Sequence, residues 1–134
     1  MIRLFFALAI SVFSLAQTTV NTDRASIQVY FSPKGGCTEA IVDAIKSAKK
    51  TIHVQAYSFT SAPIAEALHD AHRSGVAVQV ILDKSQMTER YTSATFLHNA
   101  KVPVFIDRKH SIAHNKIIIL DGQKVITGSL KQFQ

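Results

Sequence analysis

A histidine, a lysine, an aspartate and two hydroxyl residues lie near the end of this 134-residue chain: His114, Lys116, Asp121, Thr127 and Ser129. A neutral imidazole is a good nucleophile, and an ammonium group stabilises negative charge on oxygen. Hydroxyl groups add hydrogen bonds to the same kind of anion. Side chains of these types, gathered on one patch, would form a cradle for a phosphodiester.

The spacing of these residues predicts a β-hairpin that would bring them together. Two apolar runs are joined by Asp121-Gly122, a dipeptide that favours a two-residue hairpin turn. Such a turn sets four pairs opposite one another: Leu120 with Gln123, Ile118 with Val125, Lys116 with Thr127, and His114 with Ser129. Because alternate residues of a strand share a face, the imidazole, the ammonium group and both hydroxyls would lie on one face.

The pattern His-x-Lys-x4-Asp, followed after six residues by Gly128-Ser129, resembles the signature of the phospholipase D superfamily. The stretches Ala56-Tyr57-Ser58-Phe59-Thr60-Ser61 and Phe31-Ser32-Pro33 are similar to the small, nuclease-like bacterial endonuclease branch of that superfamily. The resemblance covers roughly residues 27–129. It implies metal-independent hydrolysis of phosphodiester bonds, with no cofactor.

The resemblance also implies a role for each residue of the set. His114 would attack phosphorus and form a phosphohistidine, and Lys116 would bind the non-bridging oxygens. Ser129 would help to hold the phosphate or position the histidine. Thr127, which the predicted hairpin places on the same face, is a further phosphate-binding candidate. Asp121 is a candidate site residue that is equally well explained as the organiser of the turn.

Members of the superfamily combine two such motifs, in which the second histidine protonates the leaving oxygen. This chain has one copy, so the resemblance implies a homodimer with the site across its two-fold axis. A zinc site at His110 and His114 is disfavoured, because the i, i+4 spacing ligates a metal on a helix and this segment leads into a strand.

Two departures from the family pattern are visible near Gln134. Lys131 stands where the family has an asparagine, and it adds positive charge beside the histidine. The family's more distal segment has no counterpart here. We therefore expect a C-terminally incomplete domain that lacks the last helix and strand.

The elements that must position the motif alternate between strand and helix patterns. Strands are predicted at 27–31, 51–58, 76–82 and 102–106, the third of them covered on both faces, besides the hairpin. Helices are predicted at 38–50, at 61–75 with Ser61 as N-cap and Pro63 in the first turn, and between 88 and 100. This alternation predicts an α/β fold, with a mixed β-sheet flanked by helices.

The N-terminal region differs from the rest of the chain. Arg3 precedes a short apolar run that ends in small residues, which predicts a signal peptide at residues 1–16 cleaved before Gln17. Residues 17–25 would be a linker, and residues 26–134 the phospholipase D-like domain. The run is too short for a stable membrane span, so the protein is expected to be secreted or periplasmic.

The chain carries 15 Lys and Arg residues against nine Asp and Glu residues, a balance that favours polyanionic partners. Three functions remain open. The preferred one is a nucleic-acid endonuclease; the second is a phospholipase D that acts on phospholipid head groups. The third is an inactive truncated remnant or a nucleic-acid-binding module.

Overall fold

The computed structural model describes residues 26–32, 34–87 and 93–129. The helices and strands of this part are α1 (Cys37–Ser47), β1 (Thr51–Ala56), α2 (Ala62–Arg73), β2 (Ala77–Asp83), α3 (Ser93–Asn99), β3 (Val104–Asp107), β4 (Lys116–Leu120) and β5 (Lys124–Thr127). A 3₁₀ helix, Lys84–Met87, follows β2. The predicted signal peptide and linker, and Lys131, lie outside the described residues.

The strands form one mixed sheet in the order β3-β2-β1-β4-β5. β1, β2 and β3 are parallel, whereas β4 is antiparallel to both β1 and β5. Because β4 runs against β1, it begins at the edge of the sheet where β1, β2 and β3 end. We call this the carboxyl edge, marked by Ala56, Asp83, Asp107 and Lys116. The predicted α/β class, with a mixed sheet and packed helices, is confirmed.

One face of the sheet carries the core. α2 packs on β2 between α1 and α3. Alternate strand residues meet the apolar sides of these helices, and each fully buried aliphatic side chain contributes about 1.5–3 kcal/mol of transfer free energy. The largest fully buried side chains are Ile41, Ile45, Ile52, Phe59, Ile64, Leu68, Val78, Val80, Leu82, Leu97 and Ile118.

The opposite face of the sheet is exposed in the described part of the chain. Gln79 and Ile81 of β2 alternate with buried residues, and Phe105 of β3 and Val125 of β5 are also exposed. The prediction that residues 76–82 are covered on both faces is therefore wrong for this part, because its helices pack on the other face. No helix within the described ranges is long and apolar enough to cross a bilayer.

The predicted first strand is not formed. Residues 26–30 have no regular structure, and Phe31 makes only isolated bridges to Gly35 and Gly36. Ile27 and Val29 are 87% and 71% exposed. Alternating apolar residues stabilise a strand only when a neighbouring strand pairs with it, and here the bridge partners are local turn residues. The later elements lie where the sequence predicts them, with ends displaced by a few residues.

Candidate active site

The first residue of β4, Lys116, lies at the carboxyl edge opposite Ala56 of β1. Lys116, Ile118 and Leu120 share the buried side of β4, so the lysine stem continues the row of core residues. The residue is only 9% exposed. No salt bridge to Lys116 is present among the described residues. A cation that is buried without a carboxylate partner is suited to bind an anion from outside the fold.

His114 lies two residues before Lys116 and is exposed. Its ring packs against the ring of Tyr57, with the centroids 4.7 Å apart and the planes tilted by 51°. The backbone N–H of Tyr57 donates to the carbonyl of Asn115 at 3.0 Å, which continues the β1–β4 pairing past Lys116. Tyr57 lies in the stretch of residues 56–61 that resembles the family, but no role for Tyr57 was predicted from the sequence.

The hairpin turn forms at the predicted dipeptide. Asp121 and Gly122 both have positive φ angles, of 53° and 67°, and the N–H of Gln123 donates to the carbonyl of Leu120 at 3.0 Å. The predicted pairing of the strands is nevertheless wrong. Leu120 pairs with Lys124, not with Gln123, because Gln123 is an extra residue between the turn and the ladder.

This one-residue shift moves Thr127 opposite Ile117 instead of Lys116. Continuing the register sets Ser129 opposite Asn115, not opposite His114. The strands end here, however, and both hydroxyl residues still border the same space as the histidine and the lysine. An open depression of about 300 Å³ is lined by His114, Asn115, Lys116, Ile117, Thr127, Gly128 and Ser129.

Gly128 also lines this depression. It follows Thr127, and the register places it opposite Lys116. A Cβ built on Gly128 would meet no atom of the described residues within 4 Å, so a small side chain would fit there without a clash. His114, Lys116, Thr127 and Ser129 therefore line one space at the end of the hairpin. The predicted common face is wrong for Thr127, because the shifted register places it on the face of Ile117, opposite to that of Lys116.

Asp121 lies at the other end of β4, about 17 Å along the strand from Lys116. Its carboxylate accepts backbone N–H bonds from Lys49 at 2.9 Å, Lys50 at 2.7 Å and Thr51 at 2.9 Å. These bonds, the one from Thr51 foremost, hold the pKa of Asp121 below its usual value. Asp121 ties the hairpin turn to the α1–β1 connection, so of its two interpretations the structure favours the structural one.

His110 takes part in a different contact. Its Nδ1 lies 2.8 Å from Oδ2 of Asp107, and residues 108–115 are not helical. The helical spacing that a zinc site at His110 and His114 would need is therefore not present. In the described ranges no group of three or more His, Cys, Asp or Glu side chains is placed to hold a metal ion.

Comparison with known proteins agrees with this geometry. Residues 41–130 match the family described as cardiolipin synthase, PLD-like domain. The chain is 42% identical over 106 residues to a protein named phospholipase D from Rickettsia bellii, covering 79% of this chain and 53% of that protein. A protein of the same name from Rickettsia prowazekii is 39% identical over 123 residues, covering 87% and 60%. The chain thus spans a little over half the length of these relatives.

The fold is also similar to a solved structure. The crystal structure of Nuc from Salmonella typhimurium, a phospholipase D family member, superposes with a TM-score of 0.73 and 37% sequence identity, covering 80% of this chain and 72% of that one. The family match includes β4, β5 and the depression between them. The chain belongs to the phospholipase D superfamily.

Proposed function

We propose that this chain is a phosphodiesterase that hydrolyses its substrate through a phosphohistidine on His114. The observation that carries the proposal is that His114 and Lys116 line one open depression, in which the lysine is buried without a carboxylate partner among the described residues. A phosphodiester brings the anion that this cation lacks. The histidine beside it supplies the nucleophile.

In the first step, a ring nitrogen of neutral His114 forms a bond to phosphorus while the bond from phosphorus to the leaving oxygen breaks. Lys116 binds the non-bridging oxygens and stabilises the charge that develops on them. In the second step, water attacks phosphorus and passes a proton to the group that protonated the leaving oxygen, while the bond from phosphorus to nitrogen breaks and restores His114. Packing against Tyr57 restricts the rotation of the His114 ring, so less conformational freedom is lost in the attack.

The leaving oxygen needs a proton, and we propose that His114 of a second copy supplies it. The motif occurs once in the chain, so two copies would place two such histidines across a two-fold axis. Mixing parent protein with an equal amount of His114→Ala protein tests this. After random exchange of subunits, a quarter of all dimers contain two parent subunits, so the activity per milligram of total protein falls to roughly one quarter of the parent value. A fall to one half instead indicates that each copy acts alone.

The charges at the carboxyl edge favour nucleic acid as the substrate. Asp83 and Asp107 are paired in the β2–β3 register, so Lys84, Arg108 and Lys109 follow at the same edge where β4 begins. All three cations are exposed. β3 and β4 are separated by three strand spacings, a distance of about 14 Å. A polyanionic strand that crosses this distance would meet several cations on its way to the depression.

A phospholipid substrate is the second candidate. The Rickettsia relatives are named phospholipase D, and Ile112 is 64% exposed, two residues before His114. An exposed apolar side chain beside the depression would contact the acyl region of a lipid surface. A phospholipid would be hydrolysed by the same histidine mechanism as a nucleic acid. The two candidates differ in which residues around the depression would bind the rest of the substrate.

Parallel assays with plasmid DNA, RNA and phosphatidylcholine vesicles, each in EDTA, test the function. We expect cleavage of nucleic acid, an acid-labile phosphoprotein in the parent, and loss of both in His114→Ala. Activity that EDTA abolishes contradicts the histidine mechanism. Salt-sensitive DNA binding without turnover or phosphoprotein indicates a binding module or an inactive remnant.

A variant that lacks the cations of the carboxyl edge tests whether these cations bind nucleic acid. Replacing Lys84, Arg108 and Lys109 by glutamine should lower the salt slope of oligonucleotide binding by about 2–3, the value for three lost phosphate contacts. The matched control replaces three exposed lysines at the opposite edge, namely Lys46, Lys49 and Lys50. If both variants weaken binding equally, the carboxyl edge has no special role.

A further inference from the structure

The segment that carries His114, residues 108–115, has no regular secondary structure, yet side-chain carboxylates hold it at both ends. These carboxylates belong to Asp83 and Asp107, which end β2 and β3 and are paired in the parallel register. Neither residue belongs to the motif. The sequence marks Asp83 only as the residue after an apolar run.

Asp83 holds the end of the segment that is next to the histidine. Its Oδ2 accepts a hydrogen bond from the backbone N–H of Ala113 at 2.7 Å, and its Oδ1 accepts one from Ser85 at 2.9 Å. Asp83 is 2% exposed and forms no salt bridge within the described ranges. The N–H of Ala113, foremost, and that of Ser85 lower the pKa of the Asp83 carboxyl, so it remains ionised at neutral pH.

Asp107 holds the beginning of the segment. Its Oδ1 accepts hydrogen bonds from the backbone N–H groups of Lys109 at 2.9 Å and His110 at 3.2 Å, and its Oδ2 contacts the His110 ring. On the far side of His114, the carbonyl of Asn115 is held by Tyr57. The histidine therefore lies between two fixed backbone groups, the N–H of Ala113 and the carbonyl of Asn115.

We propose that Asp83 is a positioning residue for His114, which fixes the histidine backbone through the N–H of Ala113. The inference rests on the proposed function for its kinetic consequence, because it assumes that His114 attacks phosphorus. A carboxylate suits this task better than an amide, since both of its oxygens accept hydrogen bonds. Asparagine offers one accepting oxygen and would turn an NH₂ group toward either Ala113 or Ser85.

The alternative is that Asp83 stabilises the fold without affecting the reaction. Kinetics of Asp83→Asn on bis(4-nitrophenyl) phosphate, a diester too small to reach the cations of the carboxyl edge, separate the two. Measured well below the melting temperature, kcat should fall roughly 10- to 100-fold, the effect of displacing a reacting group by about 1 Å, while KM stays within about twofold. Asp43→Asn is the control, because it makes the same change at an exposed position of α1. An unchanged kcat in folded Asp83→Asn overturns the proposal.

Amide hydrogen exchange tests the hydrogen bond from the Ala113 N–H to Asp83, here called the anchor, and needs no enzyme turnover. In the parent, the Ala113 amide should exchange at least tenfold more slowly than that of its exposed neighbour Ile112, and Asp83→Asn should remove the difference. Equal exchange of Ala113 and Ile112 in the parent overturns the proposal even if the variant does not fold. A parent with a slow Ala113 amide but no turnover on any diester contradicts the proposed function and leaves the anchor itself established.

Discussion

Replacing Lys116 by methionine should separate the stability of this fold from its proposed chemistry. Methionine retains an unbranched apolar stem and removes the ammonium group. The lysine is 9% exposed and lacks a salt bridge among the described residues, so the folded state holds a partly desolvated charge. The depression is open, which keeps this cost small. We expect the free energy of unfolding to rise by about 1 kcal/mol, and Tm by about 4 °C.

The same change should lower kcat on a small phosphodiester by roughly 10²- to 10³-fold, the usual effect of losing one group that stabilises transition-state charge. Thermal unfolding followed by circular dichroism and initial rates provide the two measurements. Lys124→Met is the matched control, because Lys124 is exposed at the start of β5. It should change stability by less than about 0.5 kcal/mol and leave kcat unaltered. A clear loss of stability in Lys116→Met would show that the ammonium group supports the fold, and an undiminished kcat would refute its contact with phosphate.

Substitutions at three further positions test other parts of the structure. Because N–H bonds from Thr51, Lys49 and Lys50 lower the pKa of Asp121 from 3.8, its stabilisation is present above pH about 4 and is lost as the pH falls through the lowered pKa. Asp121→Asn should therefore have a lower free energy of unfolding at neutral pH, and that free energy should change less as the solution is acidified. Unchanged stability at neutral pH would show that the hydrogen bonds from Lys49, Lys50 and Thr51 do not stabilise the fold. Ile118→Ala should cost about 2–5 kcal/mol in a urea titration, and a cost below about 1 kcal/mol would mean that β4 is not packed as described. Tyr57→Phe keeps the ring beside His114 and should keep kcat, whereas Tyr57→Ala should lower it about tenfold; equal rates would show that the ring contact is irrelevant.

Local signals predicted the helices and the turn. Ser61 is the N-cap residue of α2, although its side chain makes no capping hydrogen bond, Pro63 lies in the first turn, and Gly75 follows the helix with a φ angle of 93°. Asp121 and Gly122 form the predicted turn for the same reason, since both adopt positive φ angles. Each of these signals acts within a few residues, where side-chain and backbone preferences are enough to determine the conformation.

Contacts between distant segments could not be predicted in this way. The register of the hairpin depends on the extra residue Gln123, next to a turn whose aspartate is held by Thr51, 70 residues away. Asp83 acts on Ala113 across 30 residues, and no spacing rule connects an aspartate at the end of a strand to a distant amide. Tyr57 reaches His114 only because β1 and β4 are neighbours in the sheet. Residue types thus indicated which groups we propose to react, whereas the groups that hold them in place could be identified only from the fold.

The central position of β1 has a consequence for how the molecule is made. During synthesis β1, β2 and β3 leave the ribosome first and can pair in parallel. The other edge of β1 stays unpaired until β4 has been synthesised. Until then, the backbone beside Ile52 and Val54 is an open strand edge, which another nascent chain can extend. The strand that closes this edge also delivers Lys116 at its first position. Pairing of β4 with β1 therefore closes the open edge and brings Lys116 to the depression, which residues 127–129 then complete. A polypeptide interrupted before β4 would keep the open edge, would lack Lys116 and would be prone to aggregate.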